Sequence, residues 1–151
     1  MTTIAHGLDE ITALYGDCAH VIAGTPGELA WRQSILVPLT LPSPLTLPGG
    51  LTQIHMQVHR LVFDDLNAIL AECWPFVKSI GCYAFRKSRT TDRLSTHCWG
   101  VACDINAETN QLGTPGDMDP AVVTAFGARN WMWGGHFPER DAMHFQAATG
   151  W

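Results

Sequence analysis

Two histidines and two aspartates hold the chemistry of this chain. His97 and Asp104 sit in Ser95-Thr96-His97-Cys98-Trp99-Gly100-Val101-Ala102-Cys103-Asp104, and His144 follows about forty residues later in Asp141-Ala142-Met143-His144-Phe145. Two imidazoles and one carboxylate are a valid ligand set for a catalytic zinc, which takes three protein ligands and leaves the fourth position to water. Asp141 lies three residues before His144. On a turn or short strand, that spacing can bring a second carboxylate beside the water.

The pattern S-x-H-x-x-G-x-A-x-D, followed by W-G-G and D-x-x-H-F, resembles the zinc D-Ala-D-Ala carboxypeptidase and L-Ala-D-Glu endopeptidase family. That family includes the vancomycin-resistance D,D-peptidases and many phage endolysins. The fixed positions are Ser95, His97, Gly100, Ala102, Asp104, Asp141 and His144, and the similar region spans about 81–145. The resemblance implies His97, Asp104 and His144 as zinc ligands and Asp141 as the catalytic carboxylate. It places Arg86 where phage-type members carry a substrate-contacting arginine, with Arg89 and Arg93 as competitors. It puts Ser95 on the wall of the substrate pocket.

The same resemblance implies a Hedgehog/D,D-peptidase-like α+β domain, in which a small antiparallel sheet cradles the zinc and helices pack on one side. It also implies hydrolysis of a peptidoglycan stem-peptide bond. The W-G-G and D-x-x-H-F ending favours L-Ala-D-Glu cleavage. A D-Ala-D-Ala carboxypeptidase is the alternative, as is a non-catalytic phage structural or wall-binding module on the same fold.

The elements that must position these residues are partly legible. Leu8, Ile11, Leu14 and Tyr15 recur at helical spacing before Gly16. From Ile35 to Leu51 the chain carries Pro38, Pro42, Pro44 and Pro48, which forbid a helix and most central strands. This segment reads as an extended arm with its leucines on the domain surface. Val58 to Cys73 shows one apolar stripe and predicts a helix that stops before Pro75. Strands are expected at Cys82–Phe85, Val101–Ile105, Trp131–Trp133 and Met143–Phe145. Asp119-Pro120 predicts a helix start, with the helix over Ala121 to Arg129. The whole chain reads as one domain, with an N-terminal helix and proline-rich arm over 1–57 and the zinc peptidase core over 58–151.

Several neighbouring residues have plainer readings. His6, His20, His55 and His59 are expected to be structural or surface histidines. His136 follows Gly134-Gly135, and from there it can reach the cleft as a substrate-binding residue. Cys98 invites a cysteine-hydrolase reading, but core packing is the simpler expectation for both Cys98 and Cys103. Cys103 alternates with Asp104 and should face away from the metal. Trp99, Trp131 and Trp133 are expected in the core or the cleft wall. Asp117 and Asp119 suggest a second metal, although a helix cap accounts for Asp119 more simply.

Composition sets the outer limits. The chain has 151 residues, 46% hydrophobic and 15% charged, which suits one folded domain. Its 9 basic and 14 acidic side chains give a net charge of −5, against the basic face of a general nucleic-acid binder. No run of 18 apolar residues suggests membrane insertion. The five cysteines form no C-x-x-C pair and are expected as reduced thiols. The N-terminus lacks a basic start followed by an apolar core. The expectation is therefore a chain made in the cytoplasm without a secretory leader. It would reach the wall by phage-type release or virion delivery, with phage tail or virion components as further partners.

Overall fold

Three of the expected strands, together with a short strand before the histidine motif, form a four-stranded antiparallel sheet at the centre of the computed structural model. The structure describes residues 3–151. In chain order the elements begin with β1 (Ala5–His6), α1 (Gly7–Tyr15), α2 (Pro26–Ile35), β2 (Leu36–Thr46), β3 (Thr52–His59) and α3 (Phe63–Cys73). They continue with β4 (Ile80–Gly81), β5 (Ala102–Ile105), α4 (Pro120–Gly127), β6 (Met132–Trp133), β7 (His144–Gln146) and β8 (Ala148–Thr149). The sheet order is β4-β5-β7-β6, and each neighbouring pair is antiparallel. The chain is thus a small α+β fold. None of its described helices is long and apolar enough to cross a membrane.

Strand alternation sorts the side chains of β5 and β7. Asp104 pairs with His144, Cys103 with Phe145, and Ala102 with Gln146. Successive residues point to opposite faces, so Asp104, His144 and Gln146 share one face while Cys103 and Phe145 take the other. The second face joins the main core. Phe145 stacks on Phe126 of α4 at 4.2 Å between ring centroids. Leu66, Ile69 and Leu70 of α3 belong to the same buried cluster. Cys103 is fully buried there, as its alternation with Asp104 predicts.

Capping residues explain the helix starts. Asp119 accepts from the Ala121 amide at 2.8 Å and opens α4 at Pro120, although the helix ends at Gly127, short of Arg129. α1 ends at Tyr15, before Gly16, as its spacing predicts. Helix α2 lies outside the sequence expectations. It is largely exposed and carries no apolar stripe, so periodicity does not reveal it. Its signal is Thr25-Pro26-Gly27-Glu28, a capping threonine, a proline in the first turn and a glutamate three residues on. Thr25 accepts from the Glu28 amide, and the Glu28 carboxylate accepts from the Gly24 amide.

The proline-rich segment differs from expectation. It is not a surface arm but strand β2 of an antiparallel hairpin with β3. The prolines are tolerated because this sheet has two strands and each is an edge. Alternation buries Leu39 and Leu41 in the core, while Pro38, Thr40 and Pro42 face outward. The hairpin also shortens the helix expected from Val58. Pairing of Leu36 with His59 keeps the backbone extended through His59, one 3-10 turn follows at Arg60–Val62, and α3 starts at Phe63. The strand expected over Cys82–Phe85 is displaced as well. Pairing covers Ile80–Gly81 only, and from Cys82 the chain leaves the sheet to meet the His97 turn.

His59 is the structural histidine its plain reading predicts. Its Nδ1 accepts from the Leu61 amide at 3.1 Å, so its Nε2 carries the proton and donates to the Tyr15 carbonyl at 3.2 Å. Burial lowers its pKa from 6.5 to about 4, outweighing the favourable bond to Tyr15. The folded state therefore binds this proton less readily than the unfolded chain, and stability is lost as pH falls from about 6.5 towards 4. Between pH 7 and pH 5 this one group should remove about 2 kcal/mol. His59→Asn keeps an acceptor for Leu61 and does not titrate. Its urea unfolding free energy should therefore fall less than wild type over that interval, by about the same amount. Equal losses in the two proteins would assign the acid sensitivity to other groups.

Candidate metal centre and its cleft

His97 is carried by a 3-10 turn, Thr96–Trp99, that two features fix. Ser95 caps it by accepting from the His97 amide at 3.3 Å. Gly100 closes it in the left-handed region, with φ of 67°. A Cβ at Gly100 would lie 2.6 Å from Leu36 Cδ2 and 3.0 Å from the His59 amide nitrogen, so the hairpin can pack here only against glycine. The turn then runs directly into β5 and Asp104.

The loop after β6 shapes the other side. The Asp141 amide donates to Gly134 O at 2.9 Å, and the His144 amide donates to Asp141 O at 3.1 Å. A Cβ on Gly134 would stand 2.3 Å from the Asp141 carbonyl oxygen. The first glycine of W-G-G therefore lets the Asp141 backbone approach, and Asp141 in turn sets the start of β7. The Trp133 indole ties the loop down by donating to Ala142 O at 2.8 Å.

These elements bring His97, Asp104 and His144 together. His97 Nε2 and His144 Nδ1 each lie 3.2 Å from Asp104 Oδ1. One donor atom from each residue falls within 4.8 Å of the others, and this is the one such trio among the described residues. The outward ring nitrogens are already committed. His97 Nδ1 donates to the Cys82 carbonyl, and His144 Nε2 donates to Gln146 Oε1 at 2.8 Å. With those protons placed, two nitrogen lone pairs and a carboxylate oxygen converge on one point. That donor set fits a zinc-type cation, with acceptors behind the imidazoles as such sites normally have.

The charges agree with this. Burial by itself would raise the Asp104 pKa, but hydrogen bonds and charge from His144 and His97 outweigh it and hold the carboxyl well below its usual range. For His144, burial opposes the charged form, yet the bond to Asp104 prevails and raises its pKa.

A cleft opens beside the trio, with His144 in its lining. Its walls include Arg86, Arg89, Ser95, Phe137, Asp141 and Trp151, with a volume of about 140 Å³. Asp141 Oδ1 is buried and has no hydrogen-bond partner among the described residues. Burial, reinforced by the Asp104 charge, raises its pKa against the pull of His144 and Arg89. Arg86 Nη2 lies 3.9 Å from Asp104 Oδ2. Arg89 reaches the cleft from the rim, and Arg93 lies over the Trp151 ring, 4.8 Å from its centroid.

Other candidates fall elsewhere. His136 is exposed, edge-on to Trp133 at 5.0 Å, and outside the cleft lining, where Phe137 and Glu139 stand instead. The Cys98 thiol is fully buried and donates to the Arg86 carbonyl. Burial raises its pKa, which is the opposite of an activated nucleophile. Trp99 and Trp131 are core residues. Asp117 accepts from Thr109 and Asn110, so with Asp119 capping α4 the pair is committed to local structure. Gln146, Thr96 and the Cys82 carbonyl are site groups that motif reading overlooks. For Gln146 a signal existed, since it stands two residues after His144 in one strand and so shares its face.

The chain should bind one zinc ion, measurable by competition with a chromophoric chelator. His144→Ala or Asp104→Ala should abolish tight binding. Asp119→Ala should leave it intact and cost about 1 kcal/mol of stability through the lost cap. A second tight zinc that Asp119→Ala removes would restore the two-metal reading.

Comparison with known proteins bears on the same segment. No curated protein and no solved structure matches the chain. A family model described as D-alanyl-D-alanine carboxypeptidase matches residues 88–147. That stretch contains Ser95, His97, Asp104, Asp141, His144 and Gln146 and leaves Arg86 just outside, so the resemblance to a zinc-dependent peptidase family rests on the residues that build the site.

Proposed function

We propose that this chain is a zinc-dependent peptidoglycan peptidase that hydrolyses a stem-peptide bond, L-Ala-D-Glu in the first instance. The carrying observation is the convergence of His97, Asp104 and His144 donor atoms within 4.8 Å beside a cleft lined by His144 and Asp141. His97, Asp104 and His144 would hold the zinc, which when bound supplies a Lewis acid for the carbonyl and an acidified water.

The chain's own residues supply the proton handling and the orientation. Asp141 Oδ1, buried and unpartnered, takes the proton of the attacking water and returns it to the leaving amine. The raised pKa of this carboxyl makes it a stronger base than an exposed aspartate. Arg86 offers guanidinium N–H donors where the carbonyl oxygen becomes an oxyanion, and its approach to Asp104 favours it over Arg89 and Arg93. Ser95 and Phe137 flank the peptide.

The W-G-G and D-x-x-H-F ending supports the endopeptidase bond, whereas the description of the matching family model favours removal of terminal D-Ala. An endolysin-like role, with phage-type release or delivery on a virion, is the biological setting we propose for the endopeptidase.

Zinc-loaded protein should be incubated with purified peptidoglycan, with and without chelator, and the released ends identified by mass spectrometry. New N-terminal D-Glu that disappears on chelation is the expected result. Free D-Ala would identify a carboxypeptidase instead, and intact wall in the presence of bound zinc would identify a non-catalytic wall-binding module. Asp141→Asn should keep the metal and lose about 10²–10⁴-fold in turnover, whereas His144→Ala should lose both. Full activity in Asp141→Asn would remove Asp141 as the base.

A further inference from the structure

We infer that Gln146 is the positioning residue that presents Nδ1 of His144 to the metal, and that the backbone carbonyls of Ala148 and Trp151 hold its amide the right way round. The inference rests on the metal site proposed above.

An amide has a donating end and an accepting end, and here the surroundings decide which end faces His144. Gln146 Nε2 donates to Ala148 O at 2.9 Å and to Trp151 O at 3.2 Å. Both partners are carbonyls and accept only. A flipped amide would set oxygen against two oxygens and lose both bonds. Oε1 therefore faces the opposite way, where the Thr96 hydroxyl donates to it at 3.0 Å and His144 Nε2 lies at 2.8 Å. Since Oε1 can only accept, Nε2 of His144 must carry the ring proton. The lone pair is then on Nδ1, which points at Asp104.

The alternative tautomer would place the proton on Nδ1, donate it to Asp104, and leave no lone pair there for a metal. Gln146 is buried, so no bulk water can replace its carbonyl behind the imidazole. His97 needs no such residue, because the Cys82 backbone carbonyl serves it. The site thus combines one Nε2 and one Nδ1, and only the second depends on a side chain. Trp151 extends the arrangement to the cleft. Its indole donates to Leu94 O at 2.9 Å while Arg93 covers its ring, so the residue that orients Gln146 also braces the wall above the metal.

The test uses the full chain as wild type, Gln146→Leu and Tyr15→Phe. Gln146→Leu keeps the volume and removes the acceptor. Tyr15→Phe removes a buried hydrogen bond to the carbonyl of Ala147, next to Gln146, and touches neither Gln146 nor His144. Zinc affinity is read by chelator competition. The protein labelled with ¹⁵N-histidine and loaded with ¹¹³Cd reports which ring nitrogens are bound. We expect wild-type coupling at Nε2 of His97 and Nδ1 of His144. Gln146→Leu should bind zinc about 10–100-fold more weakly, and Tyr15→Phe should stay close to wild type.

Unchanged affinity in Gln146→Leu, or an equal loss in Tyr15→Phe, would overturn the inference. So would cadmium coupling at Nε2 of His144 in the wild type, a readout that stands even if Gln146→Leu fails to fold. A wild type with the expected coupling that leaves peptidoglycan intact would overturn the peptidase reading and support this one.

Discussion

The antiparallel register of two short strands governs this molecule. Asp104 sits directly across from His144, and the two share a face only because Cys103 and Phe145 occupy the alternate positions. A slip of one residue would turn Phe145 towards the cleft and His144 into the core. The stacking of Phe145 on Phe126 and the burial of Cys103 resist that slip. Core packing on one face therefore fixes the geometry of the candidate ligands on the other.

The third ligand has a different source of order. His97 lies outside the sheet, on a single 3-10 turn that would be weak alone. It is braced from the N-terminal part of the chain. Trp31 of α2 donates to the Cys98 carbonyl at 2.9 Å, Trp99 donates to the Gly16 carbonyl at 2.7 Å, and the His59 amide donates to Gly100 O at 2.9 Å. The elements before the peptidase-like segment thus hold one of its candidate ligands in place. Tyr15 adds a link to the far side by donating to Ala147 O at 3.0 Å, just after β7. Trios of this kind gather repelling lone pairs, and a bound cation would relieve the repulsion, so metal binding and folding should reinforce each other.

How much of this was legible in the sequence depends on the range of the interaction. The site trio, Asp141 and the glycines of W-G-G are visible because their chemistry needs fixed residue types at fixed spacings. The start of α4 is visible because a cap is a local hydrogen bond, as is the stop of α1. Helix α2 escaped because its exposed faces give no periodicity, although its cap spells it out in Thr25, Pro26 and Glu28. The region over Val58–Val62 misled because its apolar spacing suits a helix, while pairing with β2 holds it extended through His59.

The sequence by itself determined the candidate ligand types, the order in which they occur, and a second carboxylate close to them. These are local facts of composition and spacing. Only the tertiary structure decided that Leu39 and Leu41 are core residues, that Arg86 stands nearer Asp104 than its competitors do, and that His136 turns to Trp133 rather than the cleft. It alone decided which nitrogen of each histidine faces Asp104. That choice depends on where the carbonyls of Cys82, Ala148 and Trp151 come to rest, and backbone groups of this kind carry no mark in the sequence.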